Sequence, residues 1–217
     1  MIESTTGLVL RTRPLTESSL IVHWLTPDLG RISTVAKGAR RPKSPFLGKL
    51  DLFHQAAFAF TRSRRSDLHT LRELSVQETH TKLRQDMGCL QQAAYAANLI
   101  EQATETETPL PEIYQLMQGL LGYLSSHPTQ EQTVFSFELR LLDELGLQPD
   151  LETGQLKPGT KQAATVLWQS DWPALSRLRL SEAQIRELDR FLHGFLIFHL
   201  GRIPKGRAGA VSGGSSR

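Results

Sequence analysis

The chain has 217 residues, of which 39% are hydrophobic and 22% are charged. This composition excludes collagen-like, intrinsically disordered and membrane-embedded classes, and the length allows one large or two small domains. The formal net charge is only +3, so the total charge by itself indicates no particular partner.

Cysteine content and apolar runs indicate the compartment. Cys89 is the only cysteine, so the chain can form neither an internal disulfide nor an all-cysteine zinc site. The first apolar run, Gly7 to Leu10, has no cation before it and is too short for a signal peptide. The longest uncharged stretch, residues 88–100, is well short of the roughly 20 apolar residues of a membrane span. We therefore predict a cytoplasmic protein that does not associate with membranes.

The first 78 residues have the pattern of a small β domain. Short runs rich in Val, Ile, Leu and Thr recur about every ten residues and are separated by turn signals such as Thr26-Pro27-Asp28-Leu29-Gly30. No helical segment interrupts them, which argues against a nucleotide-binding βαβ unit. The predicted strands are Gly7–Arg13, Ser19–Leu25, Arg31–Lys37, Leu50–Thr61 and Leu68–Val76, and five such strands favour a closed barrel.

The pattern changes near Glu78, after which apolar residues recur at steps of three and four. A first helix of about 25 residues is predicted after that point, and a short helix is predicted over residues 161–169. Other helices are predicted from Leu110, over Thr129–Gly146 and from Ser181, a plausible N-cap. The fold class is therefore α+β with two domains: an OB-fold barrel over 1–78 and an all-helical domain over 79–200. Residues 201–217, rich in Gly and cations, are predicted to be a flexible basic tail.

Charge is distributed unevenly along the chain. Residues 1–78 contain 12 basic and 7 acidic side chains, residues 79–150 contain 3 and 10, and residues 151–217 contain 10 and 5. The near-neutral total therefore combines an acidic middle with two basic ends. Two clusters in the first domain suit a phosphate backbone. They contain Lys37, Arg40, Arg41, Lys43 and Lys49 in the first, and Arg62, Arg64 and Arg65 in the second.

We find no motif for catalysis. The only Gly-Lys pair, Gly48-Lys49, has Lys43 where a P-loop needs glycine and Leu50 where it needs a hydroxyl. The seven histidines share no metal-binding spacing, and Cys89 has no histidine positioned beside it. We predict a protein that is not an enzyme and needs no cofactor or metal.

The stretch Val35-Ala36-Lys37-Gly38-Ala39-Arg40-Arg41-Pro42-Lys43-Ser44 follows a predicted strand and places cations, a hydroxyl and a glycine on one loop. Backbone N–H groups and cations together can hold nucleic-acid phosphates. Trp24 and Phe46 are predicted to stack on bases, whereas Phe58 and Phe60 alternate with alanines and are predicted to lie in the barrel core. An OB-type barrel with these features is typical of single-strand binders.

These residues resemble the RecO family of bacterial recombination and repair mediators. The resemblance is carried by Val9-Leu10, Glu17, Ile21, Leu25-Thr26, Gly30 and AKGARRPKS through Gly48. It continues through Leu50, Leu52, the FELRLLDELGLQPDL stretch over 137–151, Phe198-His199-Leu200-Gly201 and Ile203-Pro204-Lys205. It covers most of the chain to about residue 207, and its AKGARR segment is specific.

The resemblance implies a cytoplasmic, nucleoid-associated bacterial protein that binds single- and double-stranded DNA and anneals complementary strands. It also implies an interaction with the acidic C-terminal tail of single-stranded DNA-binding protein, cooperation with RecR, and an indirect role in loading RecA. Many family members hold a structural zinc with four cysteines after the Leu-Gly-x-x-Pro-Asp-Leu stretch. Residues 151–169 contain none, so we expect this connection to be zinc-free and held by helix packing alone.

An acidic peptide with an apolar end requires an apolar groove with a cation at its rim. Arg140, on the third predicted helix, and Arg186 or Arg190, on the last, are the candidates for that cation. Two other functions remain open at this stage: a general OB-fold RNA-binding or translation-associated module, and an enzyme that cleaves nucleic acid.

Overall fold

The computed structural model describes residues 1–151 and 156–212. The chain forms two compact units. The barrel unit contains Met1–His80 together with Thr104–Gln115, and the helical unit contains Thr81–Ala103 and the chain from Leu116 onward. The predicted α+β class, a five-stranded barrel followed by helices, is confirmed.

The barrel closes in the order β1-β2-β3-β5-β4. Its strands are β1 (Ile2–Pro14), β2 (Leu20–Thr26), β3 (Gly30–Ala36), β4 (Gln55–Thr61) and β5 (Leu68–Glu78). Only β3 and β5 pair in parallel, and the other neighbours are antiparallel. In β4 the alternation is regular, because Ala56, Phe58 and Phe60 point inward between less buried neighbours. Phe58 and Phe60 are therefore core residues, as predicted.

Two strands, β1 and β4, begin five residues from their predicted starts, whereas the other boundaries differ by at most two residues. β1 begins at Ile2 and pairs with β4 along its first seven residues, because the β-branched, partly buried Thr5 and Thr6 suit a strand despite their low hydrophobicity. β4 begins at Gln55 rather than Leu50. Phe53 has a φ of 63°, a conformation that a strand cannot contain, and its N–H donates to Val9 O at 2.9 Å.

The segment Thr104–Thr108 belongs to the barrel unit, although the sequence assigned it to the helical domain. Arg31 Nε donates to Thr104 Oγ1 at 2.7 Å, and Glu107 N–H donates to Arg31 O at 2.9 Å. Residue 106 forms a parallel bridge with Arg31. The domain boundary predicted at residue 79 is thus wrong for this segment, since these contacts are distant in sequence and leave no periodic signal.

The helical unit begins with a 3-10 turn over Thr81–Gln85. The predicted 25-residue helix is interrupted by this turn, because Asp86 accepts hydrogen bonds from Gly88 N–H at 2.7 Å and Cys89 N–H at 3.1 Å and so caps a new helix. The α-helices are α1 (Met87–Ala103), α2 (Pro111–Leu124), α3 (Glu131–Glu144), α4 (Pro158–Gln169), α5 (Trp172–Leu175), α6 (Glu182–Leu200) and α7 (Arg207–Ser212).

The ends of α3 and α6 agree with the sequence signals. Ser181 and Gln184 form a capping box at the start of α6, as the N-cap prediction for Ser181 implied. Gly146 has a φ of 69° directly after α3, where a residue without Cβ is favoured. Both helices pack into the core of the unit through leucines, with Leu188, Leu192 and Leu196 forming the buried row of α6.

The prediction of a flexible tail from residue 201 is wrong for residues 207–212, which form α7. The Arg207 side chain is 6% exposed and binds both oxygens of the fully buried Glu138 at 2.7 and 3.0 Å. Tyr95 donates to the same carboxylate at 2.5 Å, and Gln92 donates to Ala210 O at 3.0 Å. Polar contacts therefore anchor a segment whose composition resembles a linker. Residues 213–217 lie outside the described part of the chain.

The connection after α3 was expected to be held by helix packing alone, but hydrogen bonds to α6 also hold it. The Glu187 carboxylate of α6 accepts hydrogen bonds from Lys157 N–H and Thr160 Oγ1, both at 2.7 Å. Both bonds lower the pKa of Glu187, and the bond from Thr160 has the larger effect. Residues 152–155 are outside the described ranges. Within those ranges no three His, Cys, Asp or Glu side chains converge as metal ligands, and no helix is long and apolar enough to cross a membrane.

Candidate nucleic-acid interface

Residues 37–49, here called the basic loop, form a series of tight turns between β3 and β4. Arg41 N–H donates to Gly38 O and Ser44 N–H donates to Arg41 O, both at 3.0 Å, and Lys49 N–H donates to Phe46 O at 3.1 Å. Gly38 supplies a φ of 67°. Because much of its backbone hydrogen bonding is internal, the loop presents side chains rather than the free N–H groups predicted for phosphate binding.

The basic loop is anchored in the barrel. Ala39, Phe46 and Leu50 belong to the apolar core. Gly38 N–H donates to Ser19 Oγ at 3.3 Å, and Arg40 N–H donates to Ser18 O at 3.0 Å, which ties the loop to the β1–β2 turn. The loop therefore holds its cations on a defined surface.

The five predicted cations of this loop are all solvent-exposed: Lys37, Arg40, Arg41, Lys43 and Lys49. None of them forms an ion pair with any residue that the structure describes. A cluster of exposed cations without neighbouring carboxylates produces a positive surface that suits a polyanion.

The predicted base-stacking residues Trp24 and Phe46 are not at the surface, and this prediction is wrong. Trp24 is fully buried, stacks on Phe58 with ring centroids 4.1 Å apart and donates from Nε1 to Thr34 Oγ1 at 2.8 Å. It points inward because it shares the parity of Val22 along β2. Phe46 is buried as the anchor of the basic loop. All Phe and Trp residues within residues 1–80 are buried, so the barrel has no aromatic platform for bases.

Arg62 also departs from its predicted role. Its guanidinium binds both oxygens of Glu3, at 2.7 and 2.9 Å, and Glu107 Oε1 at 2.9 Å. The hydrogen bonds to Glu3 raise the pKa of Arg62, and Arg62 lowers the pKa of Glu3. Its charge is thus neutralised within the protein. Arg64 and Arg65 are exposed and form no ion pair in the described part of the chain.

The two basic clusters do not meet. β4 runs from the end of the basic loop to the beginning of the loop that holds Arg64 and Arg65, and its seven residues span about 20 Å. The register of β4 against β1 places these loops at opposite ends of the barrel. The two loops therefore form two separate basic surfaces in the described structure.

Sequence reasoning missed two arginines beside the basic loop. Arg11 and Arg13 are exposed on the outer face of β1, and Arg11 lies opposite His23 of β2 in the strand register. Burial, followed by the charges of Arg11, Arg13 and Arg31, lowers the pKa of His23 to about 4. The Arg-x-Arg spacing, which places both side chains on one face of a strand, was the available signal.

The predicted partner residues differ in their surroundings. The guanidinium of Arg140 lies over the Trp172 ring, 4.6 Å from its centroid. Its Nε and Nη2 atoms are buried without a hydrogen-bond partner in the described structure, and burial lowers its pKa. Arg186 is exposed and pairs with Glu182 at 3.1 Å along α6.

Arg190 is the candidate that lies beside an apolar groove. The groove has a volume of about 540 Å³, and its described lining comes from α6: Glu187, Arg190, Phe191, Gly194, Phe195, Phe198 and His199. Phe198 is 83% exposed. The sequence placed Phe195 and His199 on the packed face of this helix, whereas both line the groove.

A closed five-stranded barrel with a basic surface loop, followed by helices, defines a protein of the OB-fold class. The family models for recombination protein O match it twice: the N-terminal model matches residues 1–80 and the C-terminal model matches residues 84–154. The chain belongs to the RecO family, which confirms the resemblance seen in the sequence.

Curated relatives agree with this assignment. A DNA repair protein RecO from Exiguobacterium sibiricum is 34% identical over 151 residues, which cover 70% of this chain and 60% of that protein. The protein of the same name from Listeria monocytogenes is 28% identical over 209 residues, covering 93% of this chain and 80% of the relative. A third, from Alkaliphilus metalliredigens, is 32% identical over 152 residues, covering 70% and 61%. In the first and third of these, the chain matches about three fifths of the relative's length.

Proposed function

We propose that this protein is a recombinational DNA repair mediator that binds single- and double-stranded DNA through the basic loop and anneals complementary strands. The observation that carries the proposal is the combination of five exposed cations on an anchored loop with a barrel whose aromatic rings are all buried. Membership of the RecO family supports it.

This combination favours contacts to phosphates rather than bases. Cations neutralise the backbone of any sequence and release its counterions, whereas stacking requires exposed rings. A strand held only by its phosphates keeps its base edges free for pairing. Annealing then needs no chemical step, because the protein reduces the repulsion between two strands and base pairing supplies the free energy.

The test is equilibrium binding of a labelled oligonucleotide across a series of salt concentrations. The triple variant Lys37→Ala/Arg40→Ala/Arg41→Ala should bind more weakly and with a salt slope lower by roughly two to three, since three phosphate contacts are lost. The matched control removes three exposed cations elsewhere, Lys82, Arg177 and Arg179, and should retain the slope. An unchanged slope in the loop variant would contradict the proposal, and stronger binding of a competing RNA would favour the RNA-binding alternative.

We propose that Arg64 and Arg65 form a second DNA contact at the other end of the barrel. Because about 20 Å of β4 separates the two loops, this contact would engage a different part of the strand or a second strand. The double Ala variant should therefore lower annealing rates more than affinity for a short single strand. Equal effects on both would remove this assignment.

We further propose that the acidic tail of single-stranded DNA-binding protein binds the α6 groove. An acidic, apolar-ended peptide would place its end among Phe191, Phe195 and Phe198 and its carboxylates near Arg190. Titration of a tail peptide should show about tenfold weaker binding to Arg190→Ala. Arg186→Ala, which removes an exposed cation from the same helix, is the matched control. If only Arg140→Ala lost binding, the peptide site would lie at Arg140 and not in the α6 groove.

Cooperation with RecR and the loading of RecA are proposals that rest on family membership. They are tested by RecA assembly on DNA coated with single-stranded DNA-binding protein, with RecR present or omitted. The protein should accelerate assembly only when the coating protein retains its acidic tail. Acceleration that is independent of the tail would contradict the peptide proposal while leaving DNA binding intact.

A further inference from the structure

Two large apolar side chains are exposed at the end of the barrel that carries the basic loop. Leu47, on the loop itself, is 55% exposed, and Leu15, on the β1–β2 turn, is 46% exposed. The turn and the loop are joined by the hydrogen bonds of Ser18 and Ser19 to the loop backbone. A single exposed leucine is common on protein surfaces, but two on joined segments beside a group of exposed cations form a mixed apolar and basic surface.

Leu47 is held in a defined position by its neighbours on the basic loop. Its N–H donates to Ser44 O at 3.2 Å, and Lys49 N–H donates to Phe46 O at 3.1 Å. The Phe46 side chain is packed in the barrel core. Gly48 has a φ of 72°, and a Cβ built there would have no atom within 4 Å. The turn therefore lies on an open part of the surface, and it presents the Leu47 side chain to solvent.

The charge around Leu47 is positive. Exposed Lys43 and Lys49 lie four residues before it and two residues after it, and residues 37–50 contain no Asp or Glu. The β1–β2 turn contains Glu17, so we expect phosphates to approach Leu47 more closely than Leu15. A phosphate held by these lysines places the attached base close to Leu47, because phosphate and base belong to the same nucleotide.

We propose that Leu47 inserts between neighbouring bases of a single DNA strand held by the basic loop and separates them, with Leu15 as a second apolar contact. This inference deepens the proposed DNA-binding function and rests on it. Leucine is one of the apolar side chains that DNA-binding proteins insert between base steps. The contact is made with the faces of the bases, so their hydrogen-bonding edges stay free for pairing and no sequence is read.

Insertion of Leu47 makes affinity depend on how strongly the bases of the strand stack on one another. Adenines stack more strongly than thymines, so separating them costs more free energy. The wild-type protein should bind an all-thymidine strand about fivefold more tightly than an all-deoxyadenosine strand of equal length. Leu47→Ser should bring the two affinities within about twofold of each other, because nothing then separates the bases. It should leave the salt slope unchanged, because no phosphate contact is lost.

The experiment measures affinity for both strands together with base stacking, using the full-length chain. Stacking is reported by a 2-aminopurine flanked by adenines, whose fluorescence increases when its neighbours are separated from it. Saturating wild-type protein should raise this fluorescence about twofold, and Leu47→Ser should give less than about half of that rise. Met87→Ser, which replaces an exposed apolar side chain of the helical unit, is the matched control and should behave as wild type.

Leu47→Lys separates the apolar contact from the charge of the loop. It adds a cation at the same exposed position, so the salt slope should increase by about one. The fluorescence rise should nevertheless be lost, as in Leu47→Ser. If Leu15→Ser/Leu47→Ser has no larger effect than Leu47→Ser, Leu15 is not part of the contact.

The outcomes distinguish this inference from the proposed function. If the loop triple variant loses affinity while Leu47→Ser keeps both the thymidine preference and the fluorescence rise of the wild type, the insertion of Leu47 is wrong and the proposed function stands. If the loop triple variant also matches the wild type in affinity and salt slope, the DNA-binding surface itself is wrong.

Discussion

Arg207 has a structural role that its neighbours in the sequence do not indicate. It lies between Gly206 and Ala208, in a stretch with the composition of a linker. Burial lowers its pKa, but the Glu138 carboxylate raises it by more, so the pKa of Arg207 is raised overall. Arg207 also binds Asp189 of α6 at 2.5 Å. One side chain thus joins α7 to two other helices.

Replacing Arg207 should be costly because Glu138 would remain buried without a counter-charge. We expect Arg207→Met to lower the free energy of unfolding of the helical unit by about 3–5 kcal/mol. Urea denaturation followed by circular dichroism measures this effect. Arg186→Met removes an exposed, solvent-screened pair from α6 and should change stability by less than about 0.5 kcal/mol.

A loss below about 1 kcal/mol for Arg207→Met would mean that water reaches Glu138 in the native protein. The double variant Arg207→Met/Glu138→Gln tests whether the loss of stability comes from the unpaired buried charge, because it removes that charge together with its partner. It should recover part of the lost stability.

At the scale of elements, Gly30 decides how the segment over residues 104–108 packs against β3. Gly30 begins β3 with a φ of 66°. A Cβ built at this position would lie 1.7 Å from Thr108 O, which is far inside any permitted contact. The absence of a side chain at residue 30 is therefore what admits the segment that carries Glu107 and its bonds to Arg62 and His69.

Gly30→Ala should destabilise the barrel unit by more than its backbone conformation alone requires. Ala at a positive φ costs roughly 1–2 kcal/mol, and the clash with Thr108 adds to that cost. Gly48→Ala is the matched control, because Gly48 has a φ of 72° and no atom within 4 Å of the added Cβ. The difference between the two unfolding free energies measures the packing of the segment, and equal values would show that it can move away freely.

The sequence predicted the elements better than the contacts between them. Short apolar runs and turn signals identified all five strands, and the Ser181 cap located the start of α6, because both kinds of signal are local. The sequence did not predict the bridge between residue 106 and Arg31, nor α7, because those depend on partners far along the chain. Trp24 was assigned to the surface because the local sequence around a tryptophan does not show whether its ring lies in the core or is exposed for stacking on bases.

At the scale of the whole molecule, the candidate DNA surface depends on where cations are left without carboxylates. The sequence located the basic loop correctly as a cluster, but it could not show that Arg62 is neutralised by Glu3 and Glu107. Ion pairing and strand register, which determine the field outside the barrel, appear only in three dimensions.

A barrel without exposed aromatic rings should discriminate little between single and double strands. We expect affinities for a single strand and a duplex of equal phosphate number to agree within about tenfold, because counterion release dominates both. Both affinities should fall steeply with added salt in a filter-binding or anisotropy measurement. A preference for single strands above about a hundredfold would indicate stacking on rings that lie buried in this structure.

The position of α7 has a consequence for how the protein is made. The barrel unit can begin to fold while the ribosome is still synthesising the helices, as N-terminal domains generally do. Glu138, by contrast, obtains its counter-charge only when residue 207 has left the ribosome. The core of the helical unit is therefore completed later than the barrel, once α7 has emerged, and a chain terminated before residue 207 would leave Glu138 unpaired in an incomplete core that quality-control proteases can recognise.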